Sequence, residues 1–71
     1  MKARSAPQII TKIGCPHLTL YRGDGYWYFE YDDGDKKFET RSVMVMYLNS
    51  MTVDQWVAIG LGFAHDMEKE D

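Results

Sequence analysis

Two Asp-Gly dipeptides, Asp24-Gly25 and Asp33-Gly34, each sit between short segments that alternate apolar and polar residues. Asp-Gly supplies the two positive-φ central residues of a type I′ turn, so the pattern predicts two consecutive β-hairpins. Taking Asp24-Gly25 as a two-residue loop sets Leu18 opposite Tyr31 and Leu20 opposite Phe29, with Thr19 opposite Glu30 and Tyr21 opposite Tyr28. A three-residue loop would turn both leucines outward, because a one-residue slip reverses a strand's faces. Treating Asp33-Gly34 the same way sets Phe29 opposite Phe38 and Trp27 opposite Thr40. The expected inner face is then Leu18, Leu20, Trp27, Phe29, Tyr31 and Phe38. The outer face pairs Glu30 with Lys37, Tyr28 with Glu39 and Tyr26 with Arg41.

The expected fold class is α+β: an antiparallel three- to four-stranded β-meander with one C-terminal α-helix packed on one face. The strands are expected at about residues 8–13, 17–23, 26–32 and 35–47. The first rests on the β-formers Ile9, Ile10, Thr11 and Ile13. Residues 43–48 form a continuous apolar run without a partner in a three-strand meander. They are expected to pair with residues 8–13, to pair with a second copy, or to form the packed connection to the helix. The helix is expected over about 53–68. Thr52 and Gln55 make a Thr-x-x-Gln capping box, Met51 and Trp56 stand at staple spacing, and Asp54 suits the helix N-terminus. Val53, Trp56, Val57, Gly60, Ala64 and Met67 make its apolar stripe, bordered by Phe63. Gly60 and Gly62 weaken such a helix, so they point to close approach by a neighbour or to a weak terminal stretch. The acids over residues 66–71 oppose the helix dipole, and this end is expected to fray.

A chain of 71 residues makes one domain, expected over 7–71 after a loose tail at 1–6. At this size a staple or a partner is often needed, and a single cysteine, Cys15, allows no internal disulfide. The alternative is an aromatic core, for which there are five Tyr, three Phe and two Trp. Residues 1–13 hold no apolar stretch of signal length and no run approaches membrane-spanning length. With the lone thiol, this makes the cytoplasm the expected location. Charge is uneven: residues 1–22 carry +4 and residues 23–71 carry −7, giving the formal −3. An acidic body argues against a broad nucleic-acid surface on the body, and the basic arm is the one place left for phosphate contact.

No residue set points to catalysis. Asp32, Asp33 and Asp35 lack the spacing and the closing glutamate of a calcium loop, and turn chemistry explains them. Cys15 and His17 stand two apart with no activating motif, and Cys15 reads as a small buried residue. His65 with Asp66, Glu68 and Glu70 does not gather ligands on one helix face. The expectation is no enzyme, no metal and no cofactor. Tyr21, Tyr26 and Tyr28, with Val43 and Val45 if the strand continues in phase, fall on the sheet face away from the helix. Tyrosine on an open face is the residue type that protein interfaces favour. The candidate protein-binding residues are therefore Tyr21, Tyr26, Tyr28, Glu30, Asp32, Asp33, Asp35, Glu39, Val43 and Val45. A stacking platform for single strands would need a basic groove there, and acids surround it instead.

In size, acidity and compact α+β layout the chain resembles small orphan proteins carried by phages and prophages, a group that includes anti-CRISPR inhibitors. That resemblance implies a protein-binding inhibitor whose acidic loops imitate phosphates and block a nucleic-acid-binding partner. Two alternatives stand beside it. One is a structural or assembly subunit forming a homodimer; the other is nucleic-acid binding through the basic N-terminal arm. No membrane association is expected.

Overall fold

A computed structural model describes residues 2–34 and 37–69. The expected acids Asp35, Glu70 and Asp71 lie outside the described residues. The chain runs α1 (Ala6–Ile13), β1 (Leu18–Arg22), β2 (Trp27–Asp32), β3 (Phe38–Val43), a 3-10 turn (Leu48–Ser50) and α2 (Val53–Lys69). The three strands form one antiparallel sheet in the order β1-β2-β3. The α+β meander is as expected, and two helices accompany it rather than one.

The expected strand at 8–13 is helix α1. Ser5 caps it: its hydroxyl accepts from the Gln8 N–H at 3.3 Å, and the Gln8 Oε1 accepts from the Arg4 N–H at 3.0 Å. Pro7 occupies the first turn, where its missing N–H costs nothing. Gly14 ends the helix at φ 75°, donating its N–H to the Ile10 carbonyl at 3.0 Å. Ile9 and Ile13, four apart, share the buried face. Capping at both ends and this spacing outweigh the β preference of the isoleucines. The stretch before α1 is anchored as well. The Ala3 N–H donates to the Met51 carbonyl at 3.2 Å, Lys2 bridges Thr52, and Ala3 is only 1 % exposed. The loose tail expected at 1–6 is thus a docked segment from residue 2 onward.

The first hairpin has the expected register: Leu18 pairs with Tyr31, Leu20 with Phe29 and Tyr21 with Tyr28. The turn reaches it by another route than type I′, since Gly25 alone takes a positive φ (79°) and Asp24 does not. The second hairpin departs from expectation. Phe29 pairs with Arg41 rather than Phe38, and Trp27 with Val43 rather than Thr40. The displacement is three residues, an odd number, so the faces of β3 are exchanged. Phe38 is consequently 63 % exposed, and the outer-face pairs are Glu30 with Thr40 and Tyr28 with Ser42. The cause is a longer turn. Asp32 Oδ1 accepts from the Gly34 N–H at 2.8 Å, and Asp33 Oδ1 accepts from the Lys37 N–H at 3.0 Å. The Asp33 N–H closes the turn on the Lys37 carbonyl at 3.3 Å. On the inner side, Arg41 lies 4.7 Å over the Phe63 ring and its Nη2 is 3.2 Å from Asp66 Oδ2.

The strand expected at 35–47 ends at Val43. The Val45 N–H bonds the Val43 carbonyl at 2.8 Å, a three-residue turn that breaks the ladder. Residues 44–51 then form the packed connection to α2, the third of the expected alternatives. Two indoles hold it: Trp27 Nε1 donates to the Met46 carbonyl at 3.2 Å, and Trp56 Nε1 to the Leu48 carbonyl at 2.8 Å.

Helix α2 begins as expected. Thr52 Oγ1 accepts from the Gln55 N–H at 3.2 Å, and Gln55 Oε1 accepts from the Thr52 N–H at 2.9 Å. Its buried residues are Val53, Trp56, Gly60, Phe63, Ala64 and Met67. Phe63 is therefore inside the stripe, and Val57 is at its half-buried margin. Both helices lie on one sheet face, where Phe29, Trp56 and Ile9 are fully buried. Each such side chain contributes roughly 1.5–3 kcal/mol through burial. No helix among the described residues is long and apolar enough to cross a membrane.

Candidate protein-binding face

The sheet face opposite the helices carries Tyr21, Tyr26 and Tyr28. Strand alternation puts Tyr21 and Tyr28 on that face as direct cross-strand partners, because their neighbours Leu20 and Phe29 point to the core. Their ring centroids are 5.7 Å apart at 35°, and those of Tyr26 and Tyr28 are 6.0 Å apart at 40°. The Tyr26 ring also lies on Gly23: a Cβ there would come within 2.5 Å of the Tyr26 Cζ. Glycine at this turn leaves room for the ring in this position, and Tyr26 and Tyr28 are half-buried where they pack on each other. Tyr21 remains 44 % exposed. The three rings form a pre-assembled aromatic strip, and restricting rings before contact lowers the entropy cost of docking.

Glu30 is half-buried beside this strip on the same face, opposite Thr40. Asp32 is exposed at the end of β2. One oxygen of Asp32 and one of Asp33 accept turn N–H bonds, so these carboxylates organise the second hairpin. Glu39 pairs with Tyr31 and stands on the helix side, away from the tyrosines. Val43 is in the core and Val45 packs against it. The structure thus brings together Tyr21, Tyr26, Tyr28 and Glu30, places Asp32 on the same face at the far end of β2, and separates Glu39, Val43 and Val45 from them.

Phe38, expected on the inner face, and Met44, Met46 and Tyr47 of the apolar run are large exposed apolar side chains outside the expected binding set. The signal for the last three was the apolar run itself: uninterrupted apolar residues in a connection cannot all face inward. For Phe38 the signal was the polar stretch from Asp32 to Lys37, long enough for a loop wider than two residues.

Cys15 is half-buried, and with Pro16, His65, Asp66 and Glu68 it lines an open groove between the C-terminal parts of α1 and α2. Among the described residues, no group of three or more His, Cys, Asp or Glu is placed to hold a metal ion. The pKa of Tyr31 is displaced. Burial pushes its phenol upward, Cys15, Glu68 and Asp33 add to this, and Lys37 opposes it. The phenol faces the core side of the sheet and not the tyrosine strip. No family model, curated protein or solved structure matches the chain.

Proposed function

We propose that this chain is a small acidic, non-enzymatic protein-binding module that docks a partner protein on the tyrosine strip of its outer sheet face. The supporting observation is that Tyr21, Tyr26 and Tyr28 pack on one another on the face that neither helix covers. Aromatic rings held in place beside polar neighbours are the side chains most often dominant in protein interfaces. In its inhibitor form, the phage-type reading, the partner is a nucleic-acid-binding protein. The net charge of −3, with Glu30 next to the strip and Asp32 further along the same face, is complementary to the basic groove such a partner presents. The engagement of Asp32 and Asp33 in the turn favours rings over carboxylates as the main anchors. The reading takes a reducing cytoplasm as its setting, in keeping with the single free thiol.

The test is capture from host lysate with the wild-type chain and with a Tyr21→Ala, Tyr28→Ala double variant, fold being checked by circular dichroism. Loss of a central aromatic anchor costs about 2 kcal/mol or more, roughly thirtyfold in affinity. The expected result is a partner held by the wild type and lost by the folded variant. The inhibitor form further expects that partner to bind nucleic acid and its affinity to fall with salt. A partner retained equally by both chains would remove the face from consideration.

A further inference from the structure

The geometry points to β3 as a self-complementary interface: two copies of the chain join their sheets antiparallel through this edge, with Thr40 on the two-fold axis. At the other edge, β1 is contacted by α1 from the helix face of the sheet. No described strand pairs with the outer edge of β3.

Hydrogen-bond parity fixes which backbone groups that edge offers. The Gly23 N–H bonds the Tyr26 carbonyl and the Asp32 N–H bonds the His17 carbonyl, so even-numbered β2 residues bond β1. Odd-numbered β2 residues therefore bond β3, through Glu39, Arg41 and Val43. The Asp33-to-Lys37 bond obeys the same parity. The N–H and C=O groups of Phe38, Thr40 and Ser42 are left pointing outward. Only pairings that set these residues against one another satisfy both edges. With Thr40 opposite the partner's Thr40, all three find partners, Phe38 facing the partner's Ser42.

Charge selects the same register. Glu39 then stands opposite the partner's Arg41, and Arg41 opposite the partner's Glu39, in non-hydrogen-bonded positions where side chains come closest. A shift of two residues either way sets Glu39 against Glu39 or Arg41 against Arg41. Glu39 has no ion-pair partner among the described residues. Arg41 holds Asp66 through one nitrogen and keeps further donors in its guanidinium. Charged residues commonly protect a sheet edge; here their opposite signs cancel in one antiparallel register and repel in its neighbours. The product is a six-stranded sheet with both tyrosine strips on one face. The strand contact is short, so association is expected to depend on concentration.

Sedimentation equilibrium of the full chain up to millimolar concentration tests this, with two variants. Thr40→Pro removes the outward N–H on the axis without touching the β2–β3 ladder, and proline is tolerated on an edge strand. Glu39→Arg converts both unlike pairs into Arg–Arg pairs. The wild type is expected to approach twice the monomer mass, and each variant to weaken the dimer by ~10-fold or more. Circular dichroism identifies folded variants; if Thr40→Pro unfolds, Glu39→Arg decides alone. A monomer at every concentration, or a dimer that either folded variant leaves unchanged, overturns the interface. Neither outcome bears on partner binding by the tyrosine face, which needs only one copy.

Discussion

At the residue scale, two glycines in one helix have opposite meanings. A Cβ on Gly60 would meet Ile13 Cδ1 at 2.4 Å and the Phe29 ring at 3.1 and 3.2 Å. The Ile13 terminus can move, but the fully buried Phe29 ring has little room. Overpacking costs about 1–3 kcal/mol, more than the roughly 1 kcal/mol that alanine returns to the helix. Gly62 has open space around its Cβ position. Thermal unfolding of Gly60→Ala is therefore expected to show a net loss of about 1 kcal/mol. Gly62→Ala is expected to gain up to about 1 kcal/mol. Equal shifts in the two variants would refute the close approach. The sequence marks both glycines as unusual; only the contact between α1, β2 and α2 tells them apart.

At the element scale, both helices start on related caps: Gln55 closes a reciprocal box with Thr52, while Gln8 reaches one residue further back, to the Arg4 N–H. Ser5 with Gln8 and Thr52 with Gln55 each follow the Ser/Thr-x-x-Gln pattern. In α2 the pattern precedes an apolar helical stripe; in α1 it precedes β-branched isoleucines, whose local preference is for a strand. Local caps were the better guide there, because Ile9 and Ile13 also satisfy helical spacing. Thr52→Ala is expected to cost about 1 kcal/mol. In a urea titration this should lower the midpoint and leave the slope unchanged. An unchanged midpoint would mean that Gln55 and the docked segment before α1 hold this end without the hydroxyl. The three-residue displacement of β3 has a different origin. A dipeptide signals a turn but not its length, and the carboxylates of Asp32 and Asp33 build a wider one.

At the scale of the whole molecule, stability is linked to pH through Tyr31. Its phenol has a raised pKa, chiefly because burial disfavours the charged form. Below about pH 10, folded and unfolded chains both keep the proton and the contribution is fully present. As pH rises past about 10, the unfolded chain ionises first, and stability falls until the folded phenol ionises too. Tyr31→Phe keeps a ring against Phe63, whose centroid is 6.4 Å away. Its stability is expected to fall less steeply above about pH 10 than that of the wild type. Parallel stability curves in alkaline solution would show that the core does not penalise the phenolate.

The sequence alone determined the α+β class, the first hairpin's register, the start of α2 and most of its buried stripe. These depend on neighbours in the chain: turn glycines, side-chain alternation, a capping box. It also placed Tyr21, Tyr26 and Tyr28 on the face away from the C-terminal helix. Tertiary structure decided that the N-terminal segment forms α1 on the core side, leaving those rings uncovered. It also decided that Phe38 turns outward while Arg41 covers Phe63, and that residues 44–51 close over two tryptophans. Those outcomes are set by competition among distant groups for one small core. In the observed β3 register Val43 enters the core and Arg41 reaches Phe63 and Asp66 on α2, and a local pattern of residues carries no information about that fit.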